Sequence, residues 1–166
     1  MPRKPNSVTI CAAAAADIPA LIALERESAT AAHWTEQQYD HLLQSHAEGV
    51  QSLVLAAQED SSDPISPPSP RLLGFLVARH LAPEWELENI VVASAARRRG
   101  IGTHLLDALL LRAKETNSDA VFLEVRESNS GARALYEKAG FQLSGRRKSY
   151  YKGPDEDAVL YRKRLP

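Results

Sequence analysis

Residues 96–106 read ARRRGIGTHLL: Arg97, Arg98 and Arg99 run into Gly100 and Gly102, one residue apart, and on into a helical pattern. The chemistry such a stretch suits is the holding of an anion. A helix N-terminus leaves N–H groups unpaired and carries partial positive charge, which attracts phosphate. The two glycines let the backbone curl its amides inward with no side chain in the way. The arginines add charge that a pyrophosphate would meet. Two other anion-binding patterns fail on their residues. A dinucleotide fingerprint needs a third glycine where Leu105 stands, and a P-loop needs Gly-Lys-Ser/Thr where Gly102 is followed by Thr103 and His104. The plainer alternative is a solvated arginine run with glycines as a connector; a strand pattern before it and a helix pattern after it weigh against that.

Glu124 stands in the apolar run AVFLEV, where a carboxylate is costly unless it is used or paired. A strand-end glutamate paired to Arg126 or to a neighbouring strand would explain it structurally. Glu86 and Glu88 in WELENIVV are its rivals, each read first as a substrate-side or surface charge. With Glu84 they would attract a basic peptide, or else be solvated strand charges. Tyr136 shares a helical face with Ala132 and Ala139, which by periodicity alone favours an ordinary core tyrosine. Asn129 precedes the same helix as a candidate N-cap. Tyr150 and Tyr151 fit plain β-propensity at a strand edge. The lone Cys11 has nothing basic beside it and reads as buried filler rather than a nucleophile. The five histidines show no metal-ligand spacing, so no metal is expected, and no Gly-x-Ser-x-Gly elbow occurs.

These residues must be positioned by their surrounding elements. The pattern predicts a strand at 7–13 and then a helix with Ile18, Leu21, Ile22 and Glu25 on one face and Asp17 as its N-cap. A second helix is expected at 35–46, capped by Thr35, with Tyr39, Leu42 and Leu43 on one face. Strands follow at 52–59, 71–81 and 85–92, the last leading directly into the arginine–glycine turn. A helix at about 102–116 carries the stripe Leu105, Leu106, Leu109, Leu110 and Ala113. A covered central strand at 120–125 precedes a short helix from about 130, stopped by Gly140. Two more strands end the chain. The order β-α-α-β-β-β-α-β-α-β-β implies an α/β fold with a mixed sheet and helices on both faces.

The 166 residues suit one domain with a single substantial core. Residues 60–70, DSSDPISPPSP, hold four prolines and four serines and are expected to form a flexible loop within it. The formal charge of −1 argues against global nucleic-acid binding, so no direct nucleic-acid contact is expected. One cysteine excludes an internal disulfide framework, no apolar run approaches a membrane span, and the N-terminus lacks a signal-peptide core. A soluble, cytoplasmic protein with no membrane contact is expected; oligomeric state stays open.

The hexapeptide RRRGIG, beginning at Arg97, resembles the [QR]-x-x-G-x-[GA] turn of the GNAT acetyltransferases, which bind the coenzyme A pyrophosphate there. NIVV, LEVRESNSGARALYEKAGF, and YY with EDA are similar to the RimI-type branch, as is HWT at 33–35 apart from His33 in place of proline. These enzymes acetylate the α-amino group of a protein N-terminus, typically a small-subunit ribosomal protein. The resemblance implies a mostly antiparallel sheet splayed at the cofactor site and acetyl-CoA as co-substrate. It implies Glu124 as general base, acting through a water, and Tyr136 as the acid that protonates the departing thiolate. The cofactor would be held by Ile90, Val91, Val92, by Arg97, Arg98, Arg99, Gly100, Ile101, Gly102 and Thr103, and by Asn129. Glu86, Tyr150 and Tyr151 would face the peptide. A small-amine or lysine acetyltransferase, an RNA-binding module and an acyl-CoA sensor are the alternatives.

Overall fold

The protein is seen in a computed structural model that describes residues 7–44, 50–60 and 70–166. Seven strands form its frame: β1 (Val8–Ala12), β2 (Val50–Glu59), β3 (Arg71–Leu81), β4 (Glu84–Val92), β5 (Ala120–Arg126), β6 (Gln142–Tyr151) and β7 (Glu156–Arg164). Four helices join them: α1 (Ile18–Arg26), α2 (Glu36–Gln44), α3 (Ile101–Glu115) and α4 (Ser130–Lys138). The element order matches the one read from periodicity. The proline-rich loop expected between β2 and β3 lies, at 61–69, outside the described residues, as do the last two residues expected in the second helix.

The strands form one sheet in the order β1-β2-β3-β4-β5-β7-β6. All neighbours run antiparallel except β4 and β5. That parallel pair is zipped only from Glu84–Ala120 to Leu87–Leu123. Beyond it the two strands part, so the expected splay is present.

Strand alternation divides the core between the two faces of the sheet. Leu76 and Ala78 of β3 pack with the α3 stripe Leu105, Leu106, Leu109, Leu110 and Ala113 and with Tyr136 of α4, and Leu73, the extra residue of a bulge against β2, joins them out of phase. Phe75 and Val77, pointing the other way, pack with Ile18, Leu21 and Leu24 of α1 and Tyr39 of α2. A bulge in β4 changes the assignment along that strand. Ala78 pairs with Leu87 and Val77 with Asn89, leaving Glu88 as the extra residue. Trp85 and Leu87 therefore lie on the α3 face and Val91 on the α1 face.

Local signals account for most boundaries. Thr35 Oγ1 accepts from the Gln38 N–H at 3.3 Å while Gln38 Oε1 accepts from the Thr35 N–H at 2.8 Å, a reciprocal cap that starts α2. Gly140, at φ 87°, ends α4, with the Phe141 N–H donating to the Tyr136 carbonyl and the Gly140 N–H to that of Glu137. Asp17 differs from expectation. Its side chain makes no cap on α1 and instead accepts from the Ala14 N–H at 2.8 Å. A 3-10 turn at Ala15–Asp17 leads into the helix, so the acceptor is spent one turn earlier.

Candidate active site

The arginine–glycine turn does not follow β4 directly, as the sequence suggested; a 3-10 turn at Ser94–Ala96 intervenes. Arg98 (φ 61°) and Gly100 (φ 77°) then take left-handed conformations that swing the chain into α3. Gly100 is the N-cap and offers no side chain to the helix. The first helical bond is made by the His104 N–H to the Gly100 carbonyl at 3.0 Å, so the Ile101, Gly102 and Thr103 amides precede the ladder. Gly102 has a second duty: a Cβ there would stand 3.0 Å from Leu135 Cδ2, so its bareness lets α4 approach α3. Of the arginines, Arg99 pairs with Glu59 at 2.6 Å, and Arg97 Nε donates to the Val92 carbonyl at 3.5 Å. An uncapped helix start rimmed by arginine is the cradle a pyrophosphate fits.

The turn continues the gap between β4 and β5. The Ala93 N–H donates to Leu73 of β3 at 2.8 Å. Backbone alternation therefore turns the Val91 N–H toward β3 and those of Ile90 and Val92 toward the gap. Gly74 of β3 sets this strand end. A Cβ at Gly74 would lie 2.8 Å from the Val91 carbonyl oxygen and 3.2 Å from Ile101 Cγ2, so β3, β4 and the start of α3 close on a bare backbone. Sequence reasoning missed this residue, although a glycine inside the apolar strand RLLGFLV is itself a mark of close approach.

Glu124 follows Leu123, the last residue of β5 that pairs with β4, and is itself paired in the ladder with Leu160 of β7. Its partner is Arg147 of β6, 3.2 Å away, while Arg126 pairs with Glu156 at 3.4 Å. The Tyr150 hydroxyl donates to Glu124, which together with the carboxylate's charge pushes the Tyr150 pKa up; Glu86 adds to that. Tyr151 is raised too, first by burial and then by Glu124, and Arg126 stacks over its ring at 4.4 Å. The structure thus gathers Glu124, Tyr150, Tyr151 and Glu86 at the mouth of the gap. The carboxylates of β4 are not a bare acidic patch: Glu86 and Glu88 share Arg79, at 3.2 and 3.0 Å, and Glu84 is paired to Arg162.

Tyr136 approaches from the other face. It is buried against Phe141 and Tyr161, and burial, with Tyr151 second, pushes its hydroxyl well above the usual tyrosine range. It therefore carries its proton throughout the neutral range. Asn129 caps α4, Oδ1 accepting from the Ala132 N–H at 3.2 Å, and Nδ2 reaches Thr30 Oγ1 at 3.5 Å. Cys11 lies on edge strand β1, with its pKa raised by burial and then by Asp17, opposite to the thiolate a nucleophile needs. Among the described residues no group of three His, Cys, Asp or Glu could hold a metal, and no helix is long and apolar enough to cross a membrane.

A further cluster went unread in the sequence. Glu25, 1% exposed, accepts from the Tyr39 hydroxyl at 2.6 Å, Asn89 Nδ2 at 2.8 Å and the Trp34 N–H at 3.0 Å. One carboxylate thereby ties α1, the α1–α2 connection and α2 to β4 next to Ile90. Its place on the buried helical face was legible; its partners were not.

Residues 18–141 match the acetyltransferase (GNAT) family, and the chain belongs to that family. It is 40% identical over 93 residues to the ribosomal protein bS18-alanine N-acetyltransferase of Haemophilus influenzae, a match spanning 54% of this chain and 63% of that protein. The chain thus covers just under two thirds of that relative. With the enzyme of the same name from Salmonella typhimurium it is 30% identical over 154 residues, covering 92% of this chain and 94% of that one. Among solved structures, the ribosomal-protein-S18-alanine N-acetyltransferase of Escherichia coli superposes with a TM-score of 0.73 at 26% identity, over 96% of this chain and 94% of that chain. Arabidopsis thaliana NAA60, solved with acetyl-CoA, shares the fold at a TM-score of 0.81 and 17% identity, over 96% of this chain and 99% of that chain.

Proposed function

We propose that this protein transfers the acetyl group of acetyl-CoA to the N-terminal α-amino group of a protein, and that its substrate is a small-subunit ribosomal protein of the bS18 type. The observation that carries this reading is the gap between β4 and β5 beyond Leu87 and Leu123, which opens beside the uncapped start of α3 at one end and beside Glu124 at the other. The relatives' names support the ribosomal substrate. The reaction is placed in the cytoplasm, where that substrate is made.

Acetyl-CoA supplies the acetyl group as a thioester. The amides of Ile101, Gly102 and Thr103, with Arg97, Arg98 and Arg99 around Gly100, hold its pyrophosphate. The β4 end at Ile90, Val91 and Val92 lines the pantetheine path, and the Ile90 or Val92 N–H meets the acetyl oxygen as charge develops there. Asn129 contributes its Nδ2 while its Oδ1 caps α4. Glu124 takes the proton of the attacking amine through a water. An α-amine has a reference pKa of about 7.7–8.0 against about 10.4 for lysine, so this base has little work to do. Tyr136, held protonated by burial, donates to the departing sulfur. Transfer is direct, in a ternary complex, with Glu86, Tyr150 and Tyr151 against the peptide.

The test is acetylation of peptides differing in their first residue, beside a lysine peptide with a blocked N-terminus, with the product located by mass. Glu124→Gln and Tyr136→Phe should each lower α-amine acetylation by about tenfold or more, as for lost acid–base groups. Modification of the lysine peptide alone would leave the family and remove the proposed substrate.

A further inference from the structure

Arg147 has no part in the function proposed above, yet it occupies the carboxylate that function depends on. Its side chain is 55% exposed and that of Glu124 19%, with 3.2 Å between them. The neighbouring Arg146, in contrast, is held by two carboxylates, Glu127 at 2.6 Å and Asp157 at 3.4 Å. Arg147 lies on the sheet's outermost strand, at the last regular pair before the ladder breaks: it faces Ala158, and the next pair is Tyr151 with Glu156. The residues between bulge outward, Ser149 at φ 48°, with its N–H anchored on Asp157 Oδ1 at 2.9 Å. This bulge brings Tyr150 onto Glu124, and the Arg147 guanidinium stands 5.3 Å over the Tyr150 ring.

We propose that Arg147 is a displaceable cap on Glu124, released when the substrate's α-ammonium, with the water that links it to the carboxylate, takes its place. An ion pair this exposed is weak and exchanges readily. The incoming ammonium brings the same charge and the linking water brings the donor, so Glu124 exchanges one cationic neighbour for another. The freed guanidinium keeps the face of Tyr150 as a resting place. The cap makes occupation of Glu124 conditional on a cationic, unblocked N-terminus and leaves the carboxylate paired when no substrate is present. This inference rests on the reading of Glu124 as the residue that meets the amine.

The experiment is a double-mutant cycle of Arg147→Gln and Glu124→Gln on the full chain. Affinity for a peptide with a free N-terminus is measured calorimetrically with coenzyme A present, alongside turnover with acetyl-CoA. Removing the competitor should tighten peptide binding by about threefold at low salt, the size expected of an exposed pair, with kcat of Arg147→Gln within about twofold of wild type. The same change in the Glu124→Gln background should do nothing. Weaker binding, or a kcat loss of about tenfold, in Arg147→Gln would make Arg147 a peptide contact or a support for Glu124 and overturn the cap. Equal tightening in both backgrounds would reduce it to general charge repulsion and overturn it as well, as would peptide binding too weak to measure in every variant. The base assignment fails separately, through undiminished turnover by Glu124→Gln, and the affinity cycle still decides the cap.

Discussion

Glu25 shows how much one side chain can be asked to do away from the chemistry. Its three donors favour the carboxylate, yet burial is the larger effect and raises its pKa above the ordinary range. The folded protein therefore holds this proton to higher pH than the unfolded chain does. By linkage, the contribution is fully present below the unfolded value of about 4.3, declines as pH rises through the folded value, and is flat above it. Glu25→Gln cannot ionise and should remove that segment of slope while converging with wild type at the acid end. Urea midpoints across the acid range would check this; an unchanged slope in the variant would place its source elsewhere. Tyr39 and Asn89 reach this carboxylate from 14 and 64 residues along the chain, so no local pattern announced the cluster.

At the scale of elements, the site is an edge between two strands, and its shape is set by backbone. Gly74 permits β4 to lie against β3 where the Ile90 and Val92 amides turn to the gap. Gly74→Ala would drive a methyl against the Val91 carbonyl, which belongs to the strand and cannot rotate away. The expected cost is about 1–3 kcal/mol of stability, as for other overpacked positions, with a raised KM for acetyl-CoA and a smaller change in the peptide KM. Urea unfolding and steady-state kinetics measure both; an unchanged acetyl-CoA KM would separate Gly74 from the site. Strand limits and the α3 stripe were readable because alternation and 3.6-residue periodicity are local. The Glu88 bulge was not, because a bulge exists only relative to the partner strand that lacks the extra residue.

For the molecule as a whole, one sheet serves two apolar clusters, so neither helical layer has an independent frame. We expect a single unfolding transition. Trp34 packs beside the α1–α2 cluster and Trp85 is buried in the α3 cluster, which gives each layer its own reporter. In Trp34→Phe and in Trp85→Phe, fluorescence of the remaining tryptophan and far-UV circular dichroism should share a midpoint within each variant. Separated midpoints would divide the chain into two cooperative units.

The residues proposed for the chemistry stood out in two ways: short signals marked the glycines at a helix start and the carboxylate in an apolar strand, whereas Tyr136 read as a core tyrosine by periodicity and gained its proposed role only from the family resemblance. Element order followed from periodicity. Their meeting was decided in three dimensions. Tyr136 is on a helix and Glu124 on the strand before it, and Tyr151 comes within electrostatic reach of both only because β6 folds back along β7. The partner of Glu124 is Arg147 rather than Arg126, two residues along the same strand: Arg147 stands on β6, beyond β7, and reaches the carboxylate across that intervening strand. Sequence by itself settled which groups this protein owns and which elements carry them; pairing across the sheet settled which groups touch, because such contacts join residues that chain distance does not relate.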